Sequence, residues 1–133
     1  MRVALLIFLV AISRYSSAEA HDRSFQCMEG LKKDSRFSSI ANHVALEGQG
    51  SVNREMLVDK ARPDELQKQA ITEWIDARSQ CVNLSPNPAS VNLHMAFVNI
   101  VADLYNGRVA FGEFNKKWQI LYKKEKNTGK LHN

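Results

Sequence analysis

Histidine is the first residue type to examine for chemistry, and this chain has four: His21, His43, His94 and His132. No two of them stand at a metal-binding spacing such as His-x-x-x-His, and no acidic cluster accompanies them. Met28 and His94 form a more specific pair. If the first and third helices run parallel they lie at similar heights, and a Met/His pair across a bundle can hold haem iron. Against this, Met28 belongs to an apolar stripe, His94 stands one position off its own, and there is no Cys-x-x-Cys-His for covalent attachment. Glu47-Gly48-Gln49-Gly50 lacks the strand, lysine and helix start of a phosphate loop. No serine is marked as lying on a nucleophile elbow, and Asp64-Glu65 reads as a helix start rather than an acid/base dyad. These residues favour binding over catalysis, with no catalytic residue, metal ligand or cofactor assigned.

The two cysteines, Cys27 and Cys81, carry the remaining chemistry. In an exported chain they are expected to form an intramolecular disulfide. A redox-active pair would need a reactive thiolate and usually a short Cys-x-x-Cys spacing, neither of which is present.

The elements that must position these residues read as helical. From Asp22 to about Leu46, apolar residues recur at Phe25, Met28, Leu31, Phe37, Ile40 and Val44, which predicts one helix face. Gly48 and Gly50 break the run. Pro63-Asp64-Glu65 opens a second helix carrying Leu66, Ala70, Ile71, Trp74 and Ile75 toward Cys81. Cys27 lies 19 residues before Leu46 and Cys81 lies 18 after Pro63, so two helical arms of about 28 Å would bring the sulfurs to the same end of an antiparallel hairpin. Ser85-Pro86-Asn87-Pro88 is a turn. A third helix is expected from Ala89 to Tyr105, its face formed by Val91, Met95, Val98, Val101 or Ala102, and Tyr105, closed by Asn106-Gly107 as a left-handed cap. A fourth begins near Phe111 and carries Phe114, Trp118, Leu121 and Tyr122, with Gly112 weakening its first turn. Glu47 to Arg62 is a connector whose Met56-Leu57-Val58 is expected to tuck against the helices. The predicted fold is all-α, a small antiparallel four-helix bundle with one disulfide.

The chain has 133 residues and a formal net charge of +4. Arg2, the apolar run Val3 to Ile12 and the small residues of Ala18-Glu19-Ala20 read as a cleavable signal peptide over residues 1–20, with Ser16-Ser17-Ala18 as an alternative site and an uncleaved anchor as the rival reading. Residues 21–133 then form a single helical domain with 16 basic against 13 acidic residues and no transmembrane segment. Length excludes a multidomain enzyme; six Gly, three Pro and two Cys exclude collagen-like and disulfide-dense chains. Lys116 to Asn133 holds six lysines against one glutamate. The basic tail, about 123–133, suits a solvated helix end or a contact with an envelope protein, a glycan or an anionic lipid surface. Export and a tail without interleaved arginine and aromatic residues argue against nucleic acid. Tyr105, Arg108, Trp118, Lys123, Lys124, Lys126 and Lys130 are the candidate binding surface, and Arg108 could pair with Glu113.

Three stretches, Met56–Pro63, Trp74–Cys81 and Asp103–Asn115, resemble a group of small exported bacterial helical proteins of uncharacterised function. The resemblance implies secretion and a helical fold and transfers no catalytic residue. The resulting expectation is a non-catalytic binding protein of the bacterial cell envelope, periplasmic or secreted. A cofactor- or small-ligand-binding bundle is the first alternative, and a secreted effector or hydrolase inhibitor the second.

Overall fold

The computed structural model describes residues 17–48 and 51–130; the apolar run of the expected signal peptide lies outside them. The described residues are all-helical, with no strand: α1 (Ser17–Gly30), two single 3₁₀ turns (Leu31–Lys33 and Ser35–Phe37), α2 (Arg54–Leu57), α3 (Glu65–Asn83), α4 (Pro88–Tyr105) and α5 (Phe111–Lys130). A cut after Ala20 would fall within α1. Cys27 and Cys81 are bonded and join α1 to α3. Closing a loop of separation 54 contributes about 4 kcal/mol in the chain-entropy account of disulfides. Ser24 Oγ adds a second tie by donating to the Cys81 carbonyl at 2.9 Å.

The helix starts follow from their capping residues. Asp64 accepts from Gln67 N at 2.8 Å while the Gln67 side chain accepts from Asp64 N at 2.9 Å, a reciprocal box that fixes the start of α3. Asn87 and Ser90 do the same for α4, with Pro88 at the first helical position. Gly107, at φ +71°, makes the left-handed turn after α4.

Two expectations require correction. The arm before Leu46 is not one helix. α1 stops at Gly30, and Asp34 then opens a new tight turn, its carboxylate accepting from Arg36 N at 3.0 Å and holding the Arg36 guanidinium at 2.7 Å. Phe37, Ile40 and Val44 are buried as expected, but tight turns rather than a continuous helix give them that spacing. Equal arm lengths therefore do not explain the disulfide. The second correction concerns α4. Its core residues are Phe97, Val101 and Leu104, whereas Met95 is 62% exposed and Val91 and Tyr105 also face outward. This helix is apolar on most sides, so spacing alone identifies Val101 but misses Phe97 and Leu104.

The core joins Phe37, Ile40, Ile71, Trp74, Phe97, Phe111, Phe114 and Trp118, all nearly free of solvent. Its rings meet mostly edge to face, as Trp74 does with Phe97 at 5.0 Å and with Phe114 at 6.1 Å. The connector closes one end. Phe111 N donates to Ala61 O at 2.9 Å and Gly112 N to Asp59 O at 2.8 Å, so two N–H groups at the start of α5 are satisfied by another chain segment rather than by a side-chain cap. Met56 is buried there, while Val58 is 60% exposed. Two of the three resembling stretches, Met56–Pro63 and Asp103–Asn115, thus meet at this junction.

Candidate functional site

Arg78 lies on the buried stripe of α3, four residues after Trp74 and three before Cys81, and is only 5% exposed. Its guanidinium carbon sits 4.6 Å from the Phe97 ring centroid, 5.1 Å from Trp118 and 6.0 Å from Trp74. Aromatic faces attract a cation and, when the pair is desolvated, contribute about 2 kcal/mol. The only described hydrogen bond is a long one, from Nη1 to the Leu46 carbonyl at 3.4 Å, which also receives Trp74 Nε1 at 2.9 Å. Burial pulls the Arg78 pKa down to about 10, only partly opposed by Tyr122 and Glu47. Among the described residues no carboxylate forms an ion pair with it, although an uncompensated buried charge is expensive.

Most of the buried polar atoms without partners gather in the same place. Among the described residues they are Arg78 Nε, His94 Nδ1, Trp118 Nε1 and Asn115 Oδ1. The first three surround the Phe97 ring, with Trp118 at 4.9 Å and His94 at 6.0 Å between centroids. Buried polar groups normally find partners, so three unpaired ones around a single ring mark this region off from the rest of the core.

Arg78 and Val82 are the buried residues of a cavity of about 500 Å³ between α1, α3, α4 and the side of α5 at Tyr122. Phe25, Met28, Val82 and Leu93 give it a mainly apolar lining. Lys32 stands at its edge between Glu29 at 2.9 Å and Glu47 at 3.4 Å. The volume falls within the range of about 300–1,000 Å³ typical of small-molecule sites. The groove of about 430 Å³ beside Asp59 is more open and more polar.

His94 is held neutral. Burial, with the Arg78 charge second, lowers its pKa from the ordinary 6.5. The unfolded chain therefore takes up a proton that the folded chain resists. Stability conferred by neutral His94 is complete above about pH 6.5 and is lost as the pH falls below it. Urea denaturation between pH 8 and pH 5 should show this loss, and His94→Gln should lessen the slope; an unchanged slope would contradict the assignment.

The residues singled out from sequence do not form one surface. Trp118 is 1% exposed and belongs to the wall around Arg78. Tyr105 is half-exposed beneath Lys68, whose nitrogen lies 6.0 Å from the ring centroid. Arg108 pairs with Asp103 at 3.3 Å rather than with Glu113. Lys123 and Lys124 are exposed, and at 1.5 Å per residue Lys123 lies about 18 Å along α5 from Phe111. Residues 123–130 continue α5 as helix; the side chains of Lys126 and Lys130, and residues 131–133, lie outside the described residues. Met28 lines the cavity and His94 packs behind it against Phe97, and among the described residues no group of three or more His, Cys, Asp or Glu is placed to hold a metal.

Arg78 itself had a readable signal, since a charged residue interrupts the Ile71-Trp74-Cys81 stripe. Another pair, His43 with Asp59 at 2.5 Å, could not be read from spacing because it joins two irregular segments. The His43 ring stacks on Phe111 at 4.4 Å.

The chain matches no protein-family model, and no curated protein or solved structure matches it. Among the described residues no helix is long and apolar enough to cross a membrane.

Proposed function

We propose that this chain is a small exported binding protein of the bacterial envelope, without catalytic chemistry of its own, and that a small ligand enters the cavity above Arg78. In this reading α1, α3, α4 and α5 form an antiparallel four-helix bundle, and the cavity opens between them at the disulfide end. The observation that carries it is a buried guanidinium, its Nε without a hydrogen-bond partner and no carboxylate ion-paired with it among the described residues, in the wall of a mainly apolar cavity. The Cys27–Cys81 bond is compatible with an oxidising, periplasmic or extracellular compartment. The test is titration with the neutral apolar dye N-phenyl-1-naphthylamine. Saturable binding of one dye per chain is expected, weakened at least ten-fold by Met28→Trp, which fills the cavity. Non-saturable fluorescence, or equal binding by the variant, would contradict it.

The exposed Lys123 and Lys124 on α5 support a second, electrostatic contact with an envelope surface. Replacing Lys123, Lys124, Lys126 and Lys130 by glutamine should weaken association with envelope membranes and remove its salt sensitivity. Unchanged retention would overturn that contact.

A further inference from the structure

We infer that the ligand of this cavity is an amphipathic monoanion, a single apolar chain ending in a carboxylate that meets the Arg78 guanidinium; the inference rests on the binding-cavity reading above. Three features specify the chemistry. Phe25, Met28, Val82 and Leu93 offer apolar surface to a chain, and this outweighs the polar surface of Ser24, Ser85, Asn87 and Ser90. The buried cation has a free donor at Nε, and an arginine fork matches a carboxylate in shape as well as charge. The lining carries two positive groups, Arg78 and Lys32, against Glu29 and Glu47, and Lys32 is already engaged by both carboxylates. The lining charges sum to zero, so a single carboxylate is drawn by the local Arg78 cation rather than by a net positive cavity. About 500 Å³ accommodates one short chain and is too small for a two-chain lipid.

The low exposure of Arg78 assigns the two parts of such a ligand to different depths. Its head would lie at the base, beside the aromatic rings, and its chain would run outward past Met28 and Phe25, which is 60% exposed. Water excluded by the chain would strengthen the pairing at the base, because charge pairs gain strength in a low-dielectric site. Glu47 is near enough to act on the Arg78 charge and would oppose an incoming carboxylate.

The test displaces N-phenyl-1-naphthylamine from the exported, oxidised protein at pH 7.5, where decanoate is ionised, with decanol as the chain-matched neutral competitor. Decanoate should displace the dye at concentrations at least ten-fold lower than decanol. Glu47→Gln should improve decanoate more than decanol. Arg78→Gln should abolish the preference, and Arg78→Lys should retain part of it. The wild-type comparison needs no variant and stands even if an Arg78 substitution fails to fold. Equal displacement by acid and alcohol, or by neither, would overturn the carboxylate inference while saturable dye binding kept the cavity reading. Absence of dye binding would overturn both.

Discussion

Replacing Gly112 by alanine is expected to lower the melting temperature by roughly 10 °C, equivalent to about 2–3 kcal/mol for a domain of this size. A Cβ at this position would lie 2.7 Å from both the Leu57 and Asp59 carbonyl oxygens and 3.0 Å from Asp59 N. These are backbone atoms of the connector and cannot swing aside as a side-chain end would. Either α5 or the connector must withdraw, at an overpacking cost of about 1–3 kcal/mol. Withdrawal also weakens the Gly112 N to Asp59 O and Phe111 N to Ala61 O bonds, each contributing about 0.5–1.5 kcal/mol. Alanine would recover up to about 1 kcal/mol through its better helix propensity, which offsets only part of the loss. Gly30→Ala is the control, since Gly30 has nothing within 4 Å of the added carbon and ordinary helical dihedrals; it should be neutral or slightly stabilising. Thermal unfolding followed by circular dichroism checks both, and equal melting temperatures for the two variants would contradict the close-approach explanation.

Asn115→Asp should have a larger effect, above about 4 kcal/mol at pH 7, enough to leave much of the chain unfolded. Asn115 has no solvent exposure, and its Nδ2 donates to the carbonyls of His43 and Met56, each at 2.8 Å. One amide group thus ties α5 to both the segment after the 3₁₀ turns and the connector. Aspartate replaces a two-hydrogen donor with a buried negative charge facing two carbonyl oxygens. The proton that relieves this repulsion binds more tightly in the folded state, so the carboxyl pKa would be raised on folding. The variant's deficit should therefore shrink as pH falls through that raised pKa. Leucine at 115 leaves the carbonyls unpaired but introduces no charge, so Asn115→Leu should lose less than Asn115→Asp at pH 7. Urea denaturation of the two variants at pH 7 and pH 5 separates these terms; an aspartate variant as stable as wild type would refute the role assigned to Asn115.

Much of the helical frame was legible because its signals are local. Pro63-Asp64-Glu65, the Ser85–Pro88 turn and Asn106-Gly107 mark helix ends through neighbouring backbone groups, and α3 and α4 begin or end where those residues require. The bond between Cys27 and Cys81 needed only two cysteines and an expected oxidising setting. What stayed hidden depends on contacts between distant segments. Gly112 reads locally as a weak first turn, yet the connector crosses α5 there at a distance only glycine permits. The stripe from Phe25 to Val44 has helical spacing, but Asp34 reorganises it through its own side chain. In α4 several faces are apolar, so only the packing of Phe97 between Trp74 and Trp118 identifies the buried one. Arg78 and Asn115 share a clue, each being a polar residue on an otherwise apolar stripe. Their partners, the Leu46 carbonyl for one and the His43 and Met56 carbonyls for the other, lie in irregular segments that periodicity does not describe.

The central claim, that the cavity above Arg78 receives a carboxylate-ended apolar chain, is tested most directly by two-dimensional ¹⁵N NMR during a decanoate titration of the oxidised protein. The expected result is a saturable shift of the Arg78 Nε–Hε signal together with the amides of Phe25, Met28, Val82 and Leu93. Shifts confined to Lys116 through Lys130, or no shift in the cavity residues at millimolar decanoate, would contradict it.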